Sequence, residues 1–261
     1  MYATERQQHI EQLIAVDGRV AVVELAQRFG VTTETVRRDL DQLERAGAVR
    51  RVHGGAVAPG RASTAEPSIA ERAFRHNESK QAIGHRTLAA VDTAAVGSVY
   101  LDAGTTVAAV AQQLADRVRH GGGQVEVVTH SMAIAHILAG APGVELTAIG
   151  GRVRSLTAAA VGAGTVQAIS ALRPDLAIVG TNGISAAFGM STPDPDEAAV
   201  KRAIVRSARR VIVVADADKF DHELLFSFAD LAEIDVLVTD CPPPTALSAA
   251  LRDADTEVWI A

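Results

Sequence analysis

The sequence contains one cysteine, Cys241, among 261 residues. A single cysteine cannot form an intramolecular disulfide or build a cysteine-rich metal site. The histidines and carboxylates show no His-x-Glu-x-x-His or clustered ligand spacing, and the sequence has no phosphate-loop, dinucleotide or nucleophile-elbow motif. We therefore expect no metal ion, no cofactor and no catalytic residue.

Long apolar runs are also missing. No stretch reaches the ~18 uninterrupted apolar residues of a membrane-spanning helix. The polar segment 5–15, predicted to be helical, is unlike a secretory signal. These two features predict a cytoplasmic protein without a membrane partner. The length of 261 residues allows a small domain and a second domain with a sizeable core.

The clearest local pattern lies between residues 22 and 57. A helix predicted over 23–29 stops at Gly30, and after a short turn a second helix is predicted over 34–46. Apolar residues line one face of the second helix and polar residues line the other. This is the helix-turn-helix pattern, whose second helix enters the major groove of DNA. The inward residues are Val36, Leu40 and Leu43, and the outward ones are Thr33, Thr35, Arg37, Arg38 and Asp41.

A Gly-Gly turn at 54–55 follows the second helix. It separates two short strand candidates, which predicts a hairpin wing beside the recognition helix. Arg50, Arg51 and His53 would then lie where a phosphate backbone or a minor groove passes. A solvated amphipathic helix with incidental arginines is the alternative, but the turn, the helices and the wing together favour DNA binding.

Positive charge in the first 61 residues is local. This segment holds nine arginines and no lysine against eight carboxylates, whereas the whole chain has a net charge of −6. The overall acidity should suppress indiscriminate DNA binding. One modest DNA-binding surface per chain implies a homodimer or homotetramer that reads repeated half-sites of operator DNA.

Several segments of this region form a signature together. They are Glu24-Leu25-Ala26, Val31-Thr32, Thr35-Val36-Arg37-Arg38-Asp39-Leu40, Leu43-Glu44 and Arg51-Val52-His53-Gly54-Gly55-Ala56. With them, residues 22–57 resemble the winged head of the DeoR family, bacterial transcriptional regulators of sugar metabolism. The resemblance implies operator contacts by Thr33, Thr35, Arg37 and Arg38 and backbone contacts by Arg51 and His53. We expect Asp39 to pair with an arginine, because phosphates repel a carboxylate.

From Gly97 onward, short β-branched segments alternate with alanine-rich helical ones. Apolar strands separated by helices indicate a mostly parallel sheet covered on both faces, and thus an α/β domain. Ligands of such sheets bind at the carboxyl ends of the strands. The predicted strands are 98–101, 125–128, 144–149, 176–179, 211–215, 236–239 and 257–260. The main predicted helices are 105–119, 132–138, 161–171 and 197–208.

Glycine, threonine and charged residues follow these strands. Asp102 and the Gly104-Thr105-Thr106 segment open one helix, where free N–H groups and the helix dipole favour an anion. A single loop of this kind could be a simple turn or cap, but four on one sheet edge indicate a pocket for a phosphate ester. The further candidate residues are Ser131, Gly151, Arg152, Asn182 and Glu197.

Lysine is scarce, with three residues against 22 arginines. A composition that uses arginine for ordinary positive charge keeps lysine where a compact ammonium group on a flexible stem is needed. Lys201 and Lys219 lie at the expected ligand edge, so we predict that both contact the ligand. A surface ion pair is the alternative for each, and Lys80 receives no role.

Several segments also resemble the C-terminal domain of the DeoR family, namely 101–106, 127–131, 149–152, 192–194 with 197–202, and 215–216 with 219–220. That domain is similar in fold to ribose-5-phosphate isomerase and senses phosphorylated sugars. The resemblance implies that the 104–106 loop and Ser131 hold the phosphate. The residues implied to face the hydroxyls or the carbonyl are Asp102, Asn182, Glu197 and Lys201.

Two positions depart from the family pattern. His130 stands where the family often has Asn. Asn182 stands where many members and the isomerases have Asp, and the neutral amide removes a candidate general base.

The sequence therefore predicts a DNA-binding transcriptional repressor of a sugar-utilisation operon, modulated by a phosphorylated sugar. A ketose phosphate such as a fructose phosphate is the preferred effector. The predicted domains are a DNA-binding domain at 1–57, a linker at 58–77 and an effector-binding domain at 78–261. Two alternatives remain, namely a sugar-phosphate isomerase-type enzyme with an appended DNA-binding head, and a constitutive DNA-binding protein whose body only oligomerises.

Overall fold

The computed structural model describes residues 3–17, 19–52, 54–57, 66, 68–91, 97–121 and 123–261. The chain divides into two compact units, Met1–Ala62 and Ser63–Ala261. This division falls inside the predicted linker, 58–77. Among the described residues, no helix is both long enough and apolar enough to cross a membrane.

The first unit combines helices with a small antiparallel sheet. Its elements are α1 (Ala3–Asp17), β1 (Arg19–Ala21), α2 (Val22–Phe29), α3 (Thr33–Arg45), β2 (Arg50–Val52) and β3 (Gly55–Val57). β3 pairs with β2 on one side and with β1 on the other, in the order β1-β3-β2. The predicted wing hairpin is confirmed, and β1 adds a third strand that the sequence pattern did not predict.

The helix-turn-helix has the predicted form. Gly30 ends α2 in the left-handed conformation, with φ +64°. The hydroxyl of Thr32 accepts a hydrogen bond from the Thr35 N–H at 3.2 Å, so α3 begins one residue earlier than predicted. The predicted inward residues Val36, Leu40 and Leu43 are buried in the core of this unit.

The second unit is built on a parallel sheet. Its strands are β4 (Ser98–Leu101), β5 (Val125–Thr129), β6 (Val144–Ala148), β7 (Arg152–Arg154), β8 (Ala159–Val161), β9 (Leu176–Gly180), β10 (Gly183–Ser185), β11 (Gly189–Thr192), β12 (Val211–Val214), β13 (Phe226–Ala229), β14 (Val236–Thr239) and β15 (Glu257–Ile260). Seven of them form one sheet in the order β15-β14-β12-β9-β4-β5-β6, and every pairing in it is parallel. The predicted α/β class and all seven predicted strands are confirmed.

Two smaller antiparallel sheets lie beside the main one. One is the β7–β8 hairpin, and the other has the order β10-β11-β13. Their strands are only three or four residues long, which is too short for a distinctive hydrophobic pattern. The sequence analysis therefore missed them.

Helices cover both faces of the parallel sheet. They are α4 (Ile69–Phe74), α5 (Asn77–Thr87), α6 (Thr105–Gly121), α7 (Met132–Leu138), α8 (Ala163–Ser170), α9 (Pro195–Ser207) and α10 (Thr245–Asp253). Two hydrophobic clusters result, one on each face of the sheet, because successive strand residues point to opposite sides.

The strand order places a topological switch point between β4 and β9. From β4 the chain proceeds outward through β5 to β6, and it then returns to β9 on the other side of β4. In open α/β sheets, ligands bind outside the carboxyl ends of the strands at such a point. The residues that follow β4 and β9 are therefore the first to consider as a ligand site.

Candidate functional site

The recognition helix α3 exposes most of its predicted DNA-contacting residues at its start. The side chains of Arg37 and Arg38 are 55% and 78% exposed, and each lies 3.8 Å from the carboxylate of Glu34. Thr33 is exposed, whereas Thr35 is partly buried and shares a hydrogen bond of 2.9 Å with the Thr32 hydroxyl. One exposed face thus carries two guanidinium groups held only by weak ion pairs.

Asp39 faces the opposite way and is buried. Both of its carboxylate oxygens accept hydrogen bonds from the Arg6 guanidinium of α1, at 2.5 and 3.1 Å. The hydrogen bond to Asp39 raises the pKa of Arg6, so the guanidinium remains charged. The prediction of an arginine partner for Asp39 is confirmed, and this ion pair braces α3 against α1.

The wing residues are more restrained than the helix residues. Arg50 begins β2, while His53 lies outside the described residues. The Arg51 N–H donates to the Glu44 carboxylate at 2.7 Å, and the Arg51 guanidinium forms an ion pair with Asp41 of α3. The two contacts of Arg51 fix the wing to the recognition helix.

Asp102 is the centre of a buried polar cluster at the switch point. It follows β4 and is completely buried. Its Oδ2 atom accepts a hydrogen bond from the Gly180 N–H at 2.9 Å and forms an ion pair with Lys201 of α9. The Lys201 ammonium also donates to the Gly180 carbonyl oxygen at 2.9 Å. Two predicted ligand residues are thereby brought together across the carboxyl ends of β4 and β9.

The other carboxylate oxygen of Asp102, Oδ1, has no hydrogen-bond partner among the described residues. His130 Nε2 lies 3.7 Å from it, and His130 Nδ1 lies 3.1 Å from the Tyr100 hydroxyl. Burial lowers the pKa of His130 to about 4, so the imidazole is neutral. Burial also raises the pKa of Tyr100, so its hydroxyl keeps its proton and shares the hydrogen bond with Nδ1.

The loop after β4 forms a helix N-terminus beside this cluster. Gly104 has φ +123°, a conformation that favours glycine. Thr105 and Thr106 are the first residues of α6 and are partly exposed. The first N–H groups of a helix have no partner within it, so this turn can receive an anion. Ser131 differs, because it is completely buried and its hydroxyl caps α7 by accepting from the Ile134 N–H.

Three further predicted residues lie at the start of α9 and beside it. Glu197 is buried, and its carboxylate accepts hydrogen bonds from Thr157 at 2.5 Å and Arg154 at 3.2 Å. Burial raises the pKa of Glu197. Arg152 is exposed and pairs with Asp196. A Cβ atom on the third residue, Gly151, would clash with the Thr165 hydroxyl, so the glycine is needed for packing.

The remaining two predicted residues are held by neighbouring loops. Asn182 is partly buried, and its side-chain oxygen accepts from the Thr192 hydroxyl at 3.2 Å. Lys219 Nζ lies 3.7 Å from the carboxylate of Asp216. The described residues contain no cluster of three or more His, Cys, Asp or Glu suited to a metal ion.

Sequence reasoning did not select three residues that the structure connects to the site. His130 was noticed as a departure from the family pattern but received no role. Arg154 and Glu66 form an ion pair at 2.7 Å across 88 positions of the chain, and no local pattern predicts such a contact.

Two family models match the chain. Residues 6–61 match a DeoR-like helix-turn-helix domain, and residues 75–241, more than half of the chain, match a DeoR C-terminal sensor domain. The chain belongs to the DeoR family. It is a transcriptional regulator that combines a DNA-binding domain with a sensor domain.

Relatives of this DeoR-family chain are similar over nearly its whole length. The regulator YgbI of Escherichia coli is 34% identical over 261 residues, which cover 100% of this chain and 99% of that protein. The glycerol-3-phosphate regulon repressor of the same species is 30% identical over 97% of each chain. GlpR of Haloferax volcanii is 35% identical over 92% of this chain and 91% of that one. These relatives are named as transcriptional regulators, not as enzymes.

The DeoR-family chain is also similar to solved structures of an isomerase. Ribose 5-phosphate isomerase A from Methanocaldococcus jannaschii aligns with a TM-score of 0.42 and 13% identity, over 55% of this chain and 54% of that one. A likeness of this size carries no argument about activity.

Proposed function

We propose that this DeoR-family regulator is a repressor of a sugar-utilisation operon, and that a phosphorylated sugar bound at the carboxyl ends of β4 and β9 alters its affinity for operator DNA. The observation that carries this proposal is the buried contact of Asp102, Lys201 and Gly180 at the switch point. Charged groups are rarely placed in a core unless they are paired, and buried ionisable residues at a ligand edge are candidate functional residues.

The geometry suggests a division of roles within the ligand site. The positive charge of Lys201 is already compensated by the carboxylate of Asp102, so Lys201 is a poor primary ligand for a phosphate. The N-terminus of α6, with Gly104, Thr105 and Thr106, is the better anion site, because the first N–H groups of a helix have no partner within it and the helix dipole attracts negative charge. We assign the sugar hydroxyls or carbonyl to Asp102 and Lys201, since Asp102 Oδ1 still lacks a hydrogen-bond partner among the described residues.

The names of relatives support the direction of regulation. Two relatives, at 30% and 32% identity, are named as the glycerol-3-phosphate regulon repressor and as a putative aga operon repressor. Repression is therefore the direction that we propose for this chain. A ketose phosphate of the fructose type remains the preferred effector, and glycerol 3-phosphate joins it as a candidate.

We also propose that the exposed start of α3 contacts the bases of operator DNA. Arg37 and Arg38 carry the main contacts, because guanidinium groups bind guanine and phosphate oxygens in paired hydrogen bonds. Thr33 and Thr35 border this surface. The wing residues Arg50, Arg51 and His53 are proposed to follow the phosphate backbone. A homodimer or homotetramer would place two or more such heads on repeated half-sites.

Calorimetric titration of the full-length protein tests the proposed ligand class. The panel is fructose 1-phosphate, fructose 6-phosphate and glycerol 3-phosphate, with fructose and glycerol as controls. We expect at least one phosphate ester to bind with a Kd well below millimolar and the unphosphorylated compounds not to bind, because they leave the N-terminus of α6 without its anion. Equal binding of sugar and sugar phosphate, or no binding at all, would contradict the proposal.

A further inference from the structure

The segment that precedes α4 is held by the β7–β8 hairpin. Glu66 forms an ion pair with Arg154 at 2.7 Å, and the side chain of Glu66 is only 1% exposed. Three residues later, the Ile69 N–H donates a hydrogen bond of 2.9 Å to the Leu156 carbonyl oxygen in the hairpin turn. Two independent contacts therefore anchor the chain where it enters the sensor domain.

Arg154 is shared between this anchor and α9. Besides Glu66, its guanidinium contacts Asp194 at 3.0 Å and Glu197 at 3.2 Å. Asp194 caps α9 by accepting hydrogen bonds from the first N–H groups of the helix, and Glu197 lies in the first turn. One partly buried cation thus contacts three carboxylates from two distant parts of the chain.

The same helix carries the ligand site. Lys201 lies one turn after Glu197 on α9 and contacts Asp102 and Gly180 at the switch point. Glu197 and Lys201 are both buried and lie four residues apart on α9, so their side chains share one face of the helix. A displacement or a change of charge at Lys201 therefore alters the electrostatic environment of Glu197, and through Glu197 that of Arg154.

We propose that Arg154 and Glu66 are positioning residues that couple the ligand site to the segment leading to the DNA-binding domain. Ligand at Asp102 and Lys201 redistributes Arg154 between Glu197 and Glu66, and this changes how firmly Glu66 and Ile69 are held. Because the same nitrogen, Nη1 of Arg154, donates to Glu66 at 2.7 Å and to Glu197 at 3.2 Å, a small shift of α9 changes the strength of the Glu66 anchor. The inference rests on the proposed ligand site.

The hairpin offers a matched control. Arg152 lies two residues before Arg154 on β7 and also pairs with a carboxylate of α9, Asp196. Its side chain is 64% exposed, against 19% for Arg154, and its partner is 46% exposed. Arg152 was predicted as a ligand residue, but the proposed ligand site does not include it, and its exposed ion pair contributes little. Arg152→Met therefore removes the same charge from the same strand and leaves the Glu66–Arg154 ion pair in place.

The test measures the operator affinity of the full-length protein with and without a phosphate ester. The ester is the one that binds the wild type in the calorimetric titration. Couplings between two sites typically amount to 5- to 150-fold, so we expect a response of about tenfold in the wild type and in Arg152→Met. Glu66→Gln keeps the shape of the side chain and leaves Arg154 on α9. We expect this variant to bind ligand and operator within about threefold of wild type but to respond less than about twofold.

Arg154→Met is a second variant, expected to show the same loss of response. A wild-type response in both Glu66→Gln and Arg154→Met would overturn the inference while leaving the proposed function intact. If no ester bound even the wild type, the proposed function would fail. Hydrogen exchange would then test the Glu66 anchor without a ligand. Glu66→Gln should speed exchange of the Ile69 amide several-fold relative to Arg152→Met. Equal exchange in the two variants would refute the anchor.

Discussion

At the scale of single residues, each of the two units contains a buried carboxylate paired with a buried cation. Asp39 in the DNA-binding domain and Asp102 in the sensor domain are each buried beside one cation, Arg6 and Lys201 respectively. Removing one partner of such a pair leaves an uncompensated charge in a medium that solvates it poorly. These positions are therefore expected to be far more sensitive to substitution than exposed ion pairs.

Asp39→Ala should destabilise the DNA-binding domain by about 3 kcal/mol, since it leaves Arg6 buried and unpaired. Asp41→Ala is the control, because Asp41 forms a more exposed ion pair with Arg51 and its loss should cost less than about 1 kcal/mol. Hydrogen exchange of the α3 amides in the full-length protein measures both effects. Similar protection of α3 in the two variants would show that the Arg6 contact does not brace the helix.

His130→Asn should change how stability depends on pH. The folded-state pKa of His130, about 4, is lowered by burial from a value of about 6.5 in an unfolded chain. Between these two values the unfolded chain binds a proton at His130 and the folded chain does not. The free energy of unfolding therefore falls by at most about 3 kcal/mol as the pH decreases from 6.5 towards 4. Urea unfolding across this range should show a weaker loss in the variant. Equal losses in both proteins would mean that His130 is protonated in the folded state.

The helix-turn-helix shows, at the scale of elements, where sequence reasoning succeeds. Each of its two helices was predicted to within a residue at either end, because Gly30 and Gly47 follow the helices and the apolar spacing is regular. The short strands β1, β7, β8, β10, β11 and β13 were missed, because three or four residues, many of them charged or small, show no distinctive hydrophobic pattern. Long-range contacts such as Glu66 with Arg154 likewise leave no trace in a single sequence.

Arg37→Ala and Arg38→Ala should each abolish specific operator binding and leave the fold intact, because both side chains are exposed on the face opposite the core. Each lost contact should weaken binding by about 1–3 kcal/mol per half-site. Gel-shift titration measures the effect, and Arg119→Ala, an exposed arginine of the sensor domain, controls for net charge. Unchanged affinity in both helix variants would show that the recognition surface lies elsewhere.

The wing provides a second prediction for an element. A Cβ atom at Gly55 would collide with the Val20 carbonyl oxygen, because β1 and β3 are paired there. Gly54 has φ +80° but free space around it, so Gly54→Ala should cost only about 1–2 kcal/mol. Gly55→Ala should cost more and should weaken operator binding by displacing the wing. Thermal unfolding and gel shifts compare the variants, and an equal or smaller effect of Gly55→Ala would contradict the observed pairing.

At the scale of the whole molecule, the chain forms two compact units, and each unit has its own hydrophobic core. The sequence was sufficient to predict the two kinds of domain, the parallel sheet, and that Asp102 and Lys201 lie near one edge of it. It could not predict that Glu197 and Arg152 would be engaged by protein partners, since Arg154, Thr157 and Asp196 reach them only in the folded chain. Asp102 and Lys201 are the predicted pair that the fold does bring together.

The central claim is that the Asp102–Lys201 cluster senses the ligand that controls DNA binding. Replacing both residues at once, as Asp102→Asn with Lys201→Met, removes the two charges together and so avoids leaving either one buried alone. The decisive measurement is operator affinity of the full-length wild type and of this double variant, with and without the phosphate ester that the wild type binds. We predict that ligand shifts the affinity of the wild type about tenfold and leaves that of the double variant unchanged. A wild-type shift in a folded double variant would contradict the account.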